Sequence, residues 1–532
     1  MGKIASLFEH RVTRKVGEWV VVLLVLTWCA VLVARPINLA TADLGRHIKN
    51  GEIFLKGTSQ DAYNVIHTNF YSYTQGDHDF VNHHWGSGVV FYLIFQLAGF
   101  KGLSLAYVLL YVLAFGIFFR LAQKASNNWL AVLASLLLMP IIVTRKEVRP
   151  EVITYIFTGI FYWILWNYRE FLPNLPQAWK GKVIWLLPLL MVFWVNLHIG
   201  FVIGFAVLGA FWLEQLIFHF QKKPNRLKAF TLVGLACGIA AAINPAGLSG
   251  AIYPFSIFRH YGYLIVENQS IFFLQKLGMN SMGYLVAMVF LVWLSFVCVL
   301  VKDKKKLNWP HLFFSLVFAF MAARAIRDYP LFGLFAIPAL AYNFSIPLPK
   351  NLFQVYRKIL VGAAFAVTLG VGLRIHQDLN AAGDRFGIGL AKGVTAAADF
   401  YKSANIKGPV FNNYDIGGYL IYNLYPQKVF VDNRPEAYEA AFFNQVYIPA
   451  QADPKKWAEL DAKYNFNTIF FYYHDATPWA QTFLLGKIQD PAWAPVFADS
   501  YNIIFLNRNQ QNEELIKKYE LPKSMFLSVP SN

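Results

Sequence analysis

The chain has 532 residues, of which 57% are hydrophobic, 17% aromatic and only 14% charged. An ordinary soluble chain is about 45–50% apolar and about a quarter charged. The composition therefore excludes a single soluble domain, a disordered chain and a collagen-like chain, and it points to a polytopic membrane protein. The formal net charge of +17 reads as lysine and arginine anchoring cytoplasmic loops. No basic face on a soluble domain accompanies it, so no nucleic-acid partner is expected.

In chain order, Lys3, Arg11, Arg14 and Lys15 precede an apolar run, Val20 to Val33, that Arg35-Pro36 ends abruptly. This predicts a retained first span with a cytoplasmic N-terminus rather than a cleaved signal peptide. Further apolar runs begin near Gly102, Trp129, Val152, Val183, Ile199, Ala229, Tyr284, His311, Tyr329 and Ile359. Each is about long enough to cross a bilayer, which takes roughly 20 helical residues. The run from Gly86 to Phe100 is shorter, and it decides the topology of everything after it. Arg169 to Lys182, Lys222 to Lys228, Lys302 to Lys306 and Lys350 to Lys358 are strongly basic. All four fall on the cytoplasmic side only if 86–100 does not cross. The reading is an interfacial helix at 86–100, about eleven spans, and an extracytoplasmic region after Arg374.

The texture changes near residue 376, where charges and turn residues become frequent. Short β-like stretches at Pro409 to Phe411, Lys428 to Val431, Thr468 to Tyr473 and Ile503 to Leu506 alternate with helical ones around Gly417 to Leu424 and Lys455 to Lys463. The predicted architecture is a mainly α-helical transmembrane domain, 1–375, with a long first external loop, 36–85, and an extracytoplasmic α/β domain, 376–532. Cys29, Cys237 and Cys298 each lie in an apolar run, so no disulfide framework is implied.

This topology gathers the unusual residues on one face. The first external loop holds Asp43, Arg46, His47, Glu52, Asp61, His67, Asp77, Asp79, His83 and His84. The next carries Arg145, Glu147, Arg149 and Glu151. Asn196, His198, the stretch from Asn244 to Glu267, and Arg324, Arg327 and Asp328 follow. Ionisable groups at span ends are costly and tend to face a cavity, so the set suggests one extracytoplasmic site. Asp43 is the sharpest candidate. In a short helix it shares a face with Arg46 and His47, and its carboxylate suits proton acceptance or metal ligation. The competing reading is an N-cap or a local ion pair with Arg46. Arg145, Arg149, Arg324 and Arg327 suit bidentate pairing with phosphate oxygens, and His198 suits the same donor site. Arg46, His47, His83, His84 and Glu267 are expected to line the cavity.

Asp43-Leu44-Gly45-Arg46-His47-Ile48 with Gly51, then Phe70-Tyr71-Ser72-Tyr73-Thr74, then His83-His84-Trp85, resembles the first external loop of GT-C-type membrane glycosyltransferases, the superfamily of oligosaccharyltransferases and protein mannosyltransferases. Arg149-Pro150-Glu151, Asn196-Leu197-His198 and Asn244-Pro245 with Gly247 are similar to later landmarks. The chain departs from the pattern at Gly45 and Arg46, where aromatics are common. The resemblance implies a bacterial multi-pass inner-membrane transferase, its C-terminal domain extracytoplasmic, with a polyprenyl-phosphate-linked sugar as donor and an extracytoplasmic acceptor. It implies inverting transfer at Asp43. It also implies Mg2+ or Mn2+, if any metal, held by Asp43, Glu147 and Glu151. Asn413-Tyr414-Asp415-Ile416-Gly417 and Val431-Asp432-Asn433-Arg434 resemble the acceptor-binding segments of oligosaccharyltransferase catalytic subunits. They imply acceptor contacts from Tyr414, Asp415, Asn433 and Arg434. Asn413 and Tyr414 stand where that pattern has two tryptophans, and Asp415 could instead cap the following helix. A non-catalytic scaffold on the same fold, or a lipid or solute transporter, remains the alternative.

Overall fold

The computed structural model describes residues 2–169, 181–257, 261–276, 282–347 and 386–526, with 359, 361–366 and 369–370. The basic stretch 350–358 and parts of the run expected near Ile359 lie outside the described residues, as does most of 169–182. The protein is mainly helical with a small C-terminal sheet. It divides into two compact units. One comprises residues 1–36, 104–243 and 264–388, the other 37–103, 244–263 and 389–532.

The first unit is a helical bundle. Its helices include Gly2–Val33, Asn128–Ile142, Glu151–Arg169, Leu186–Leu197, Val202–Phe220, Leu227–Ala241, Met282–Asp303, Trp309–Arg324 and Tyr329–Ser345. Capping residues set several starts. Asn127 accepts from the N–H groups of Trp129 and Leu130 at 3.0 and 3.1 Å, and Asn308 accepts from His311 N–H at 3.1 Å. Tyr329–Ser345 is apolar and buried nearly all round, which marks it as the central helix of the bundle. It packs against Asn128–Ile142, and Gly333 permits the contact. A Cβ there would come within 2.5 Å of Ile142.

Among the described residues, three helical stretches, Trp85–Ala125, Ile199–Phe220 and Met282–Lys306, are long and apolar enough to cross a membrane. Gly17–Val33, Asn128–Ile142, Val183–Leu197, Leu227–Ala241 and Trp309–Arg324 are shorter apolar helices. The stretch Trp85–Ala125 is two helices merged at a kink. Gly99 has φ 60° and ψ −160°, a conformation essentially open to glycine alone. At 1.5 Å per residue the 85–98 limb is roughly 21 Å long, short of a hydrocarbon core of about 30 Å.

In the second unit, helix Leu44–Lys56 is crossed closely by the 85–98 limb. A Cβ on Gly51 would lie 2.2 Å from the Gly88 carbonyl oxygen, and one on Gly88 would lie 2.8 Å from that of His47. The following helix, Ser59–His67, opens on a reciprocal cap between Thr58 and Asp61. The C-terminal portion carries a four-stranded sheet, β1 (Val410–Asn412), β2 (Thr468–Tyr472), β3 (Trp493–Ala498) and β4 (Asn502–Asn507), in the order β1-β2-β4-β3. β1 and β2 are parallel; the other pairs are antiparallel.

The expected strands at 409–411, 468–473 and 503–506 correspond to β1, β2 and β4, and both expected helices form, as Gly417–Leu424 and Pro454–Tyr464. Lys428 to Val431 is not a strand. Its backbone exchanges bonds with Tyr71 and Tyr73 through a single bridge, and Asn412 Oδ1 accepts from Phe430 N–H.

Candidate active site

Asp43 stands immediately before helix Leu44–Lys56, but its side chain makes no capping bond. Its carboxylate instead accepts from the Asn433 side-chain amide and pairs with Arg46 at 3.6 Å. Arg46 Nε closes the triangle on Asn433 Oδ1 at 3.4 Å. Arg46 is buried, while Asp43 keeps about a fifth of its side chain exposed (21%), so the carboxylate is held in place and still open to a ligand. Tight backbone packing positions the group. A Cβ on Gly45 would meet Tyr422 Cβ at 2.9 Å and the Gly418 oxygen at 3.3 Å. A Cβ on Gly417 would sit 2.3 Å from Asp432 Cα. The departure at Gly45 thus has a steric cause: helix Gly417–Leu424 lies where a larger residue would point.

Tyr414 is buried and stacks on Tyr263, with ring centroids 4.3 Å apart at 27°. Its backbone N–H donates to Tyr447 at 2.7 Å. Asp43 and Glu436 both act on it electrostatically. Asp415 is the only partly exposed residue of Asn413–Gly417. It is not the residue that precedes the following helix, a place held by Ile416 without a side-chain cap. Asn413 is buried, bonding Asp475 and both backbone groups of Tyr472.

Asp432 and Arg434 form a fully enclosed bidentate pair at 2.7 and 2.6 Å. Arg434 also donates to Asn69 at 2.6 Å, its guanidinium lies 4.7 Å from the Phe80 ring centroid, and Tyr438 donates to Asp432 at 3.0 Å. Burial would push the Asp432 carboxyl up, but Arg434 and the hydrogen bonds outweigh it and hold it below its ordinary range. This pair ties the 431–438 segment to residues 69–80.

His47 is buried edge-on to His84, with centroids 5.4 Å apart. His83 lies against His84 at 4.0 Å and Tyr253 at 5.6 Å.

Glu436, which carries no motif, belongs to this neighbourhood. Burial pushes its carboxyl up, against its own backbone N–H and against Arg46 and Arg434. It also lines a cleft of about 670 Å³, with Tyr63, His67, Asp79, Tyr253 and Tyr438 among its walls. A cleft of this size, with aromatic faces and a few convergent polar groups, has the make-up of a small-molecule site.

In the first unit, Arg145 pairs with Glu151 at 3.0 Å and with Glu267 at 2.5 Å. Arg149 pairs with Glu267 at 3.0 Å and Glu147 at 2.7 Å. Arg327 pairs with Glu151 at 3.1 Å and donates to Asn268 at 2.9 Å. Five expected site residues therefore form one network, with Glu147 at its rim. Burial would raise the Glu267 carboxyl, but Arg149, Arg145 and Arg327 hold it below the usual range. Arg324 is exposed at the end of its helix. His198 is buried at the corner between two helices, where Nδ1 bonds Thr154 at 2.7 Å and accepts from Gly200 N–H at 3.0 Å.

Among the described residues, no group of three or more His, Cys, Asp or Glu side chains is placed to hold a metal ion. Glu147 and Glu151 put their oxygens on the Arg145, Arg149 and Arg327 guanidinium groups.

No protein-family model and no curated protein matches the sequence. Solved structures do match it. The oligosaccharyltransferase AglB of Archaeoglobus fulgidus, in complex with an inhibitory peptide and a dolichol-phosphate, superposes with a TM-score of 0.60 at 11% identity. The match covers 94% of this chain and 75% of that one. The arabinofuranosyltransferase AftD from Mycobacteria matches with a TM-score of 0.53 at 13% identity, over 92% of this chain and 40% of that one. ArnT from Cupriavidus metallidurans bound to undecaprenyl phosphate matches with a TM-score of 0.51 at 13% identity, over 94% and 98%. The chain has the fold of the GT-C class of membrane glycosyltransferases.

Proposed function

We propose that the protein is an inverting membrane glycosyltransferase that moves a sugar from a polyprenyl-phosphate carrier to a hydroxyl-bearing acceptor on a glycan, lipid or protein. One observation carries this reading: in a GT-C fold, the Asp43 carboxylate does not cap its helix and is instead fixed by Asn433 and Arg46. In the proposed reaction the acceptor hydroxyl attacks the anomeric carbon and passes its proton to Asp43. The bond from that carbon to the phosphate oxygen breaks, and polyprenyl phosphate leaves with the electron pair. Arg145, Arg149 and Arg327 supply the cations for this phosphate, with Glu151 and Glu267 setting their positions. Arg324 adds an exposed cation one turn away, and His198 braces the adjoining helix corner.

The acceptor lies along the Tyr63–Tyr253–Tyr438 cleft. Tyr414, Asp415 and Asn433 contact its reacting end, and Arg434 acts from beneath through Asp432 and Asn69. His83 adjoins the cleft through Tyr253, with His84 and His47 packed behind it. In this reading the N-terminus is cytoplasmic in a bacterial inner membrane with about eleven spans, the 85–98 limb lies along the interface, and the C-terminal residues are extracytoplasmic. The shortness of that limb and the break at Gly99 support this arrangement.

The test is a transfer assay. Full-length protein in lipid nanodiscs is given radiolabelled polyprenyl-phosphate pentoses and hexoses with membrane extract as acceptor. The expected result is label leaving the carrier for the acceptor fraction in step with release of polyprenyl phosphate. Folded protein that neither binds nor turns over any of these donors overturns the proposal.

A further inference from the structure

At the Arg169 end of the bundle, the first unit holds a second concavity. Its volume is about 260 Å³, and its walls include Arg169, Glu214, Arg226, Lys305, Lys306 and Tyr342. Among the described residues, four cations thus face one carboxylate. Helix Glu151–Arg169 runs from the Arg145–Glu151 network to this pocket. Its 19 residues correspond to roughly 28 Å at 1.5 Å per residue, close to the ~30 Å of a hydrocarbon core. The pocket therefore falls at the membrane face opposite that network.

The two arginines are built in, while Lys305 and Lys306 stand on an exposed turn where Lys306 pairs with Asp303 at 3.8 Å. The Arg169 guanidinium lies 3.9 Å from the Trp166 ring centroid and pairs with Glu214 at 2.7 Å. Arg226 lies 4.2 Å from the Tyr168 ring centroid, and its backbone N–H donates to the Gln215 side chain at 2.8 Å. The Tyr342 hydroxyl pins the lysine turn by donating to the Lys306 carbonyl at 2.9 Å. Helix dipoles do not set the sign of the site. Helices Glu151–Arg169, Val202–Phe220, Met282–Asp303 and Tyr329–Ser345 end here, while Leu227–Ala241 and Trp309–Arg324 begin. The helix ends together lean negative, so attraction for an anion rests on the side chains. If those side chains only neutralised helix C-termini they would need neither aromatic platforms nor a shared concavity.

We propose that this pocket binds the phosphate headgroup of an anionic membrane lipid. Basic pockets between membrane helices bind such headgroups, planar guanidinium groups match phosphate oxygens, and the apolar helices around the pocket accept the acyl chains. The site shares no residue with the Asp43 and Arg145 groups and takes no part in the proposed chemistry.

The experiment follows the thermal unfolding midpoint of the full-length protein in neutral detergent. It is titrated separately with phosphatidylglycerol, phosphatidylcholine and inorganic phosphate. Phosphatidylglycerol should raise the midpoint, phosphatidylcholine should not, and added salt should weaken the effect. The variant R226Q/K305Q/K306Q should need at least about tenfold more phosphatidylglycerol for half the shift. K305Q/K306Q, altered only on an exposed turn, should show a smaller loss and guards against misfolding of the triple variant. K455Q/K456Q/K463Q in the other unit removes the same charge and should respond like wild type. Equal shifts with both lipids, or a wild-type response from the triple variant, overturns the proposal. An equal shift with inorganic phosphate overturns the headgroup assignment in favour of a free phosphate.

Discussion

Two acceptor oxygens distinguish the roles open to Asp43. As a helix cap it would accept from the backbone N–H groups of Gly45 or Arg46; instead it faces the Asn433 amide and the Arg46 guanidinium. Asparagine and aspartate cap equally well, but an amide accepts no proton at neutral pH. Asp43→Asn should therefore leave folding and donor binding intact and lower the transfer rate by about 10²–10⁴-fold. Near-normal turnover by a well-folded variant removes Asp43 from the chemistry. Asp43 was legible in the sequence because an ionisable residue soon after a span end is unusual on its own. Glu436 was not: it follows Pro435 in an ordinary turn, and only the fold brings it near Arg46 and Arg434. The cause of Gly45 was hidden in the same way, since its constraint is Tyr422, far along the chain.

Among the elements, Gly99 is where the sequence said least and the backbone says most. A Cβ there would touch nothing within 4 Å, so any effect of Gly99→Ala comes from its positive φ alone. The expected cost is about 1–3 kcal/mol, read as a lower unfolding midpoint. Gly116 lies in the same stretch, also without neighbours in reach of a Cβ and without a positive φ. There Ala should instead stabilise, by roughly 0.5–1 kcal/mol. Equal responses at the two positions would mean that the break at Gly99 is not enforced by conformation.

The strands show a similar limit. β2 and β4 were legible because Thr468–Tyr472 and Asn502–Asn507 are rich in β-branched and aromatic residues. β3 was missed because Pro495 interrupts it. It is an edge strand, where the missing N–H is tolerated. Lys428 to Val431 has strand-like composition, but the partners available to it, Tyr71 and Tyr73 on one side and the Asn412 side chain on the other, offer only one bridge.

At the scale of the molecule, the enclosed Asp432–Arg434 pair makes stability depend on pH. The folded-state pKa of Asp432 is lowered, so on acidification the unfolded chain takes up the proton first. The contribution is fully present above the ordinary aspartate value of about 3.9 and is lost as pH falls below it. Arg434→Met leaves a buried carboxylate without its cation and should cost about 3–5 kcal/mol at neutral pH. Because the stranded carboxyl then binds its proton more readily in the folded state, acidification from about pH 7 to 4 should recover part of that loss. Unfolding midpoints of wild type and variant across this range check it, and a deficit that does not shrink on acidification excludes the pair as its source.

The second unit is assembled from three separated stretches, 37–103, 244–263 and 389–532, and that sets a timetable for biogenesis. At 5–20 residues per second, the ribosome reaches residue 389 roughly 15–60 s after residue 103. Throughout that interval Asn69 has no Arg434 to receive, Gly45 has no Tyr422 to pack against, and the Asp43 carboxylate has no Asn433 to hold it. The nascent chain must therefore carry its first stretch unfinished through the insertion of the bundle, within reach of proteases and in need of a holding chaperone. Chains interrupted anywhere before about residue 434 would be cleared rather than partly active, because the last stretch synthesised supplies the partners that the first one lacks.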